Sequence, residues 1–116
     1  MNYSLDVDRL IDCRKKLGIT KTEAAKRMQL SQPAYLRYES GDRTPSIQTL
    51  HTIANVLETS VEYLIGKVDN PSPSSYTIFK SNNPEMFELI KLCKNLDNTA
   101  QNRLLAYAKG LTINKP

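Results

Sequence analysis

Residues 20 to 39, TKTEAAKRMQLSQPAYLRYE, decide how this chain folds. Thr20 is a helix N-cap residue, and Glu23, three positions on, can reach back to the Thr20 amide, so the two satisfy donors that a helix start leaves open. Ala24, Ala25 and Met28 follow at helical spacing. Gln29 and Leu30 form a turn, Ser31 offers a second cap, and Pro33 fits a first helical turn because the N–H it lacks would have no partner there. The stretch predicts two short helices around one tight corner.

On a wheel of 100° per residue the second helix has two unlike sides. With Gln32 at zero, Leu36 falls at about 40°, Pro33 at about 100° and Arg37 at about 140°, while Ala34, Tyr38 and Tyr35 occupy roughly 200° to 300°. The second group has the character of a packing face and the first that of a contact face. Gln can pair bidentately with adenine in a major groove, Arg with guanine or a phosphate, and Leu can touch a thymine methyl. The positive end of the helix dipole also suits phosphate.

On the N-terminal side, Leu10, Cys13 and Leu17 mark a helix face, with Asp6 or Asp8 as its start and Gly18 as a left-handed stop. On the C-terminal side, residues 40–46 read as a loop in which Gly41 permits a left-handed turn, Arg43 lies at the tip, and Ser46 caps the next helix. Ile47, Leu50, Ile53, Ala54 and Leu57 then recur at helical spacing as a core face. His51, the one histidine, has no second ligand near it in sequence and receives no chemistry. Ser60 caps a last short helix whose Val61, Leu64 and Ile65 close the core before Gly66.

Residues 10 to 66 resemble the five-helix DNA-binding domain of the phage repressor and Cro type, also called Xre-like. The resemblance rests on Arg14 before Gly18, the Thr20 cap, Ala25, Ser31, the run Tyr38-Glu39-Ser40-Gly41, Pro45-Ser46, and the closing Ser60 to Gly66. It implies an ion pair between Arg14 and Glu39 that ties the first helix to the recognition helix. It further implies base reading by Gln32, Pro33, Leu36 and Arg37, and phosphate contacts from Lys21, Ser31, Arg43, Thr44 and Ser46. Two positions depart from the family pattern. Lys21 stands where Gln is common, which keeps a charge and loses a bridging amide. Ala24 stands where Leu is usual and Tyr35 where a smaller aliphatic is, so the tyrosine ring is expected to fill the space the alanine leaves.

Residues 69–83, DNPSPSSYTIFKSNN, change composition and read as a linker, with an arm on the same domain or a partner's as the alternative. Beyond it Asn83 and Pro84 open a helix with an apolar stripe, and Asp97 caps a second, which Gly110 and Asn114-Lys115-Pro116 wind down. The two helices, joined at one residue, are expected to form an αα-hairpin. Some thirty residues bury too little apolar surface to stand alone, so Met86, Leu89, Ile90, Cys93, Leu104, Leu105, Ala108 and Leu111 are expected to dimerise, with packing on the first domain as the competing outcome.

The net charge of +4 says less than its distribution. Residues 1–66 hold nine basic and eight acidic side chains, yet between 14 and 43 eight cations face only Glu23, Glu39 and Asp42. Cys13 and Cys93 lie on apolar faces, which suits reduced, buried thiols rather than a disulfide. No phosphate-binding glycine loop, catalytic triad or metal-ligand set is visible, so the chain is expected to be no enzyme and to need no cofactor or metal. No apolar stretch suits a signal peptide or membrane span, so a cytoplasmic location is expected.

The expected fold is all-α: a five-helix domain at 1–68, a linker at 69–83 and a helical hairpin at 84–116. The expected function is that of a homodimeric, sequence-specific transcriptional regulator, most simply a repressor, inserting residues 32–39 into the major groove of double-stranded DNA. An antitoxin or accessory protein of the same fold, acting mainly through a protein partner, is the alternative.

Overall fold

The computed structural model describes residues 3–113, and all of its regular structure is helical. The chain forms two units, one ending at Ile78 and one beginning at Phe79.

In the first unit α1 spans Val7–Lys16, α2 Lys21–Arg27, α3 Gln32–Ser40, α4 Ile47–Val56 and α5 Val61–Leu64. Each begins on a side-chain cap: Asp6, Thr20, Ser31, Ser46 and Ser60 each accept the amide three residues on. α3 packs on α1 and α2, and α5 closes against α1 and α4. The Asp6 amide donates to the Leu64 carbonyl at 2.8 Å, pinning the entry of α1 to the end of α5. Leu10, Met28, Tyr35, Leu50, Ile53 and Leu64 are almost completely buried at the centre. Ala24 and Tyr35 are both fully buried in this one cluster, so the tyrosine ring is core. Ile47 departs from the expected core face of α4. It is 39% exposed, because it is the first residue of the helix and projects beyond the layer that Leu50 begins.

Helices end here by a shared device. After α2, the Leu30 amide reaches the Ala25 carbonyl and Gln29 the Lys26 carbonyl, the paired bonds of a Schellman turn, with Gln29 left-handed at φ 58°. Glu58, also at φ 58°, does the same after α4, where Thr59 bonds Ala54 and Glu58 bonds Asn55. Gly66 repeats it after α5. The turn at Gln29 sets the corner between α2 and α3, and a side chain there sits in a region that glycine enters without strain.

Residues 69–78, read from sequence as part of a linker, belong to the first unit. Thr59 donates its hydroxyl to the Pro71 carbonyl at 2.6 Å, and the Asn55 side-chain amide donates to the Thr77 carbonyl. Proline and serine composition signalled the loss of helix, while the two donors that hold the extended chain lie a dozen or more residues upstream.

In the second unit α6 spans Pro84–Lys94 and α7 Asn98–Ile113. Asn83 caps α6, and Asp97 accepts the Ala100 amide at 2.8 Å to start α7. The connection is three residues long rather than one. Gln101 donates to the carbonyls of Cys93 at 2.9 Å and Leu96 at 3.3 Å and so fastens this corner. α7 runs through Gly110, which has no left-handed φ; a glycine inside a helix costs about 1 kcal/mol without breaking it. The expected wind-down at Asn114-Lys115-Pro116 lies outside the described residues. No residue of α6 or α7 is buried.

Candidate nucleic-acid interface

The interface is built from the underside of α3 upward. Arg14 on α1 donates through Nε to Glu39 Oε2 at 2.6 Å and through Nη2 to Oε1 at 3.4 Å, while its Nη1 donates to the Ile19 carbonyl at 2.9 Å. The Tyr35 hydroxyl donates to the same Glu39 oxygen. Both charged side chains are below one-tenth exposed, so this is a desolvated, fully hydrogen-bonded pair and not a surface contact. The bond to Glu39 raises the Arg14 pKa, and burial followed by the Glu39 hydrogen bond pushes the Tyr35 hydroxyl well above the ordinary tyrosine range. All three groups hold one side of α3 against α1.

The opposite side of α3 faces solvent. Gln32, Pro33 and Arg37 are exposed and Leu36 is 37% exposed, whereas Tyr35, Tyr38 and Glu39 are buried and Ala34 is half-buried. The helix therefore splits along the line its wheel draws, with a short helix pinned from beneath and Gln32, Pro33, Leu36, Arg37 and Ser40 on its outer surface.

Cationic side chains flank that surface. Lys21 is exposed at the first position of α2, and Arg43 is exposed in the loop after α3. The Arg43 amide donates to the Arg37 carbonyl at 3.2 Å, so after the left-handed Gly41 the loop folds back over the end of α3. Ser31 and Ser46 act first as caps: Ser31 Oγ accepts the Ala34 amide at 3.2 Å, and Ser46 Oγ accepts the Thr49 amide at 3.1 Å and donates to Thr49 Oγ1 at 3.0 Å. Thr44 is exposed and Pro45 is buried. Arg43, Thr44, Ser46 and Thr49 line an open polar cleft of about 580 Å³, and Tyr3 lines its other wall. Arg27 pairs with Glu23 at 2.9 Å on the surface of α2.

Four participants in this framework escaped the sequence. Tyr3 donates its hydroxyl to the Pro45 carbonyl, from a stretch whose only signal was an aromatic residue among polar ones. Arg9 binds the carbonyls of Tyr63 at 2.9 Å and Val68 at 2.6 Å, and its guanidinium lies 4.3 Å from the centre of the Tyr63 ring. Asn55 and Thr59 hold the 69–78 segment. Each contact joins residues far apart in sequence, which no local pattern encodes.

The described residues hold no cluster of His, Cys, Asp and Glu able to bind a metal ion, and none of their helices is long and apolar enough to cross a membrane. Cys13 is buried, and burial raises its thiol pKa; Cys93 is half-buried. In the second unit Met86, Leu89, Ile90, Leu105, Ala108 and Leu111 are exposed, and Leu104 is half-buried like Cys93. Of fourteen exposed large apolar side chains in the described residues, ten lie in this unit, so it has no core of its own.

Residues 10–64 match the helix-turn-helix family model. The chain is 38% identical over 58 residues to the uncharacterized HTH-type transcriptional regulator YqaE of Bacillus subtilis, a match covering 50% of each protein. It is 35% identical over 60 residues to the cryptic phage CTXphi transcriptional repressor RstR of Vibrio cholerae, covering 52% of this chain and 54% of that one. To the HTH-type transcriptional regulator ImmR of Bacillus subtilis it is 36% identical over 59 residues, covering 51% and 46%. The chain thus spans about half the length of these curated relatives. No solved structure matches it. The capped corner, the pinned second helix and this similarity converge on residues 10–64 as a helix-turn-helix domain similar to those of Xre/Cro-like regulators.

Proposed function

We propose that this protein is a sequence-specific DNA-binding transcriptional regulator, acting in the cytoplasm as a homodimeric repressor that lays α3 in the major groove. The observation that carries the proposal is the outer surface of α3. Gln32, Pro33, Leu36 and Arg37 lie exposed on a helix whose other side is locked by Arg14, Glu39 and Tyr35. Gln32 can donate to adenine N7 while accepting from its N6 amine, Arg37 can donate twice to a guanine edge, and Leu36 offers an apolar contact for a thymine methyl. Lys21 and Arg43 supply charge for backbone phosphates on either side, with Ser31, Thr44 and the Ser46 amide as neutral donors. Positioning and base reading then belong to different residues. The name of the Vibrio relative, a transcriptional repressor, supports repression.

Dimerisation is assigned to the second unit. Its exposed apolar residues, Leu89 and Leu111 among them, have no core of their own to enter, and a second copy supplies one. A two-fold pair of α3 helices then meets two half-sites one helical turn apart, roughly 34 Å.

Selection of bound sequences from a random duplex pool tests the whole proposal: a two-fold symmetric product supports it, and no enrichment over input sinks it. Gln32→Ala and Arg37→Ala are expected to lose about 1 to 3 kcal/mol at particular base pairs of the selected site. Lys21→Ala and Arg43→Ala are expected to weaken binding to all duplexes and lower the salt slope by about one unit. Equal losses in all four variants on matched and scrambled duplexes refute the division of roles.

A further inference from the structure

We propose that Tyr3 is a positioning residue for DNA, acting through the peptide bond between Pro45 and Ser46; this rests on the assignment above of the Arg43–Ser46 segment to backbone phosphate. The Tyr3 hydroxyl donates to the Pro45 carbonyl across 42 residues of sequence. A trans peptide is planar, so its carbonyl and the N–H of the next residue point in opposite directions. No peptide bond among the described residues is cis. Holding the Pro45 carbonyl inward on Tyr3 therefore turns the Ser46 N–H the other way.

The segment is fixed at three points. The Arg43 amide is tied to the Arg37 carbonyl at 3.2 Å, the Pro45 ring is fully buried, and the Pro45 carbonyl is held by Tyr3. Proline also restricts Thr44 before it to extended backbone. The ring anchors where the loop lies, but a buried ring leaves ψ of Pro45 open to rotation, and the Tyr3 bond is what sets it. Tyr3 lines the same open cleft as Arg43, Thr44 and Ser46, so its ring also forms the wall of the surface where a phosphate is to sit. The partner implied is a backbone phosphate of duplex DNA, contacted without regard to base sequence.

The test compares full-length wild type, Tyr3→Phe, Arg43→Ala and the double variant, by fluorescence anisotropy with a labelled random-sequence duplex across a salt series, with melting temperatures alongside. The phenylalanine keeps the ring and deletes one hydrogen bond. Tyr3→Phe is expected to weaken binding by about two- to ten-fold, the scale of one net hydrogen bond, at a temperature far below its melting transition, which falls by only a few degrees. The Ser46 amide proton, followed by NMR on titrating the duplex, is expected to move downfield in wild type and clearly less in Tyr3→Phe. Wild-type affinity and an unaltered Ser46 response in Tyr3→Phe, with Arg43→Ala still lowering the salt slope, overturn the role of Tyr3 and leave the interface standing. An Arg43→Ala variant that binds like wild type overturns the interface assignment itself. A Tyr3→Phe loss that appears only near its melting transition reduces Tyr3 to a stabilising contact and also overturns the proposal.

Discussion

Removing Glu39 is the perturbation whose outcome the structure specifies most fully. Its carboxylate accepts Arg14 Nε at 2.6 Å, Arg14 Nη2 at 3.4 Å and the Tyr35 hydroxyl, and its side chain is 4% exposed beside a 9% exposed guanidinium. Glu39→Ala leaves the Arg14 charge buried with one neutral acceptor, the Ile19 carbonyl, and leaves the Tyr35 hydroxyl without its acceptor. Stranding a buried charge costs about 3 to 5 kcal/mol, and an orphaned buried hydroxyl adds about 1 to 3 kcal/mol. A domain of this size has a total stability of roughly 4 to 10 kcal/mol, so Glu39→Ala is expected to be largely unfolded or to melt tens of degrees lower. Arg14→Ala is expected to cost about 3 to 5 kcal/mol.

The decisive comparison is a variant that removes charge and hydroxyl together. In Arg14→Met, Glu39→Leu, Tyr35→Phe no charge is buried and the half-buried Ile19 carbonyl alone loses its donor, so its stability is expected within about 2 kcal/mol of wild type. Urea unfolding followed by far-ultraviolet circular dichroism measures all of these on the full chain. If Arg14→Ala costs less than about 1 kcal/mol, the pair behaves as a surface contact and the reasoning fails. If the apolar triple variant is no more stable than Glu39→Ala, the loss comes from packing and not from the stranded charge.

Other consequences follow from single contacts. Arg9→Ala is expected to cost about 2 kcal/mol by urea unfolding, through two charge-assisted bonds to carbonyls and the stacking on Tyr63, and a cost below about 0.5 kcal/mol contradicts the contact. Because burial raises the Tyr35 pKa above its usual 10.0, the stability it protects is complete below that pH and is lost as the unfolded chain ionises above it. Wild type is therefore expected to lose about 1.4 kcal/mol more than Tyr35→Phe for each pH unit above about 10, and parallel pH profiles refute this. Gln29→Gly relieves a left-handed side chain and is expected to raise stability by about 0.5 to 1 kcal/mol, whereas a loss shows that the Gln29 side chain has a stabilising contact of its own.

Most of the helical framework was legible because its signals are local. Thr20, Ser31, Ser46 and Ser60 announce helix starts within three residues, and the apolar spacing from Leu50 to Leu57 announces which face of α4 is buried. The split of α3 into buried Tyr35, Tyr38 and Glu39 and exposed Gln32, Pro33, Leu36 and Arg37 is likewise a matter of angle along one helix. Helix ends were harder. Gly18 and Gly66 are visible stops, but Gln29 and Glu58 take the same left-handed conformation with no compositional sign, since the tertiary fold imposes it. Residues 69–78 were harder still: a proline- and serine-rich run reports what cannot be helix, and the donors that hold it, half-buried Asn55 and buried Thr59, lie near the end of α4 and just after it, where no local pattern marks them. Tyr3 escaped for the same reason, its acceptor being a carbonyl that every residue carries.

The buried pair also shapes the electrostatics of the surface above it. α3 contains one acidic residue, Glu39, and an exposed carboxylate there would repel phosphate from this helix in its proposed role. By turning Glu39 inward onto Arg14, the fold cancels that charge internally with a cation from another helix. Glu23 is likewise engaged by Arg27. Between residues 14 and 43 this leaves Lys15, Lys16, Lys21, Lys26, Arg37 and Arg43 exposed, with Asp42 as the one exposed carboxylate outside an ion pair with Arg or Lys. A domain almost neutral by count thus acquires a cationic side without any excess of basic residues. The same contact that fixes the orientation of α3 removes a charge from its face, so in the proposed role fold stability and affinity for DNA are coupled through one carboxylate.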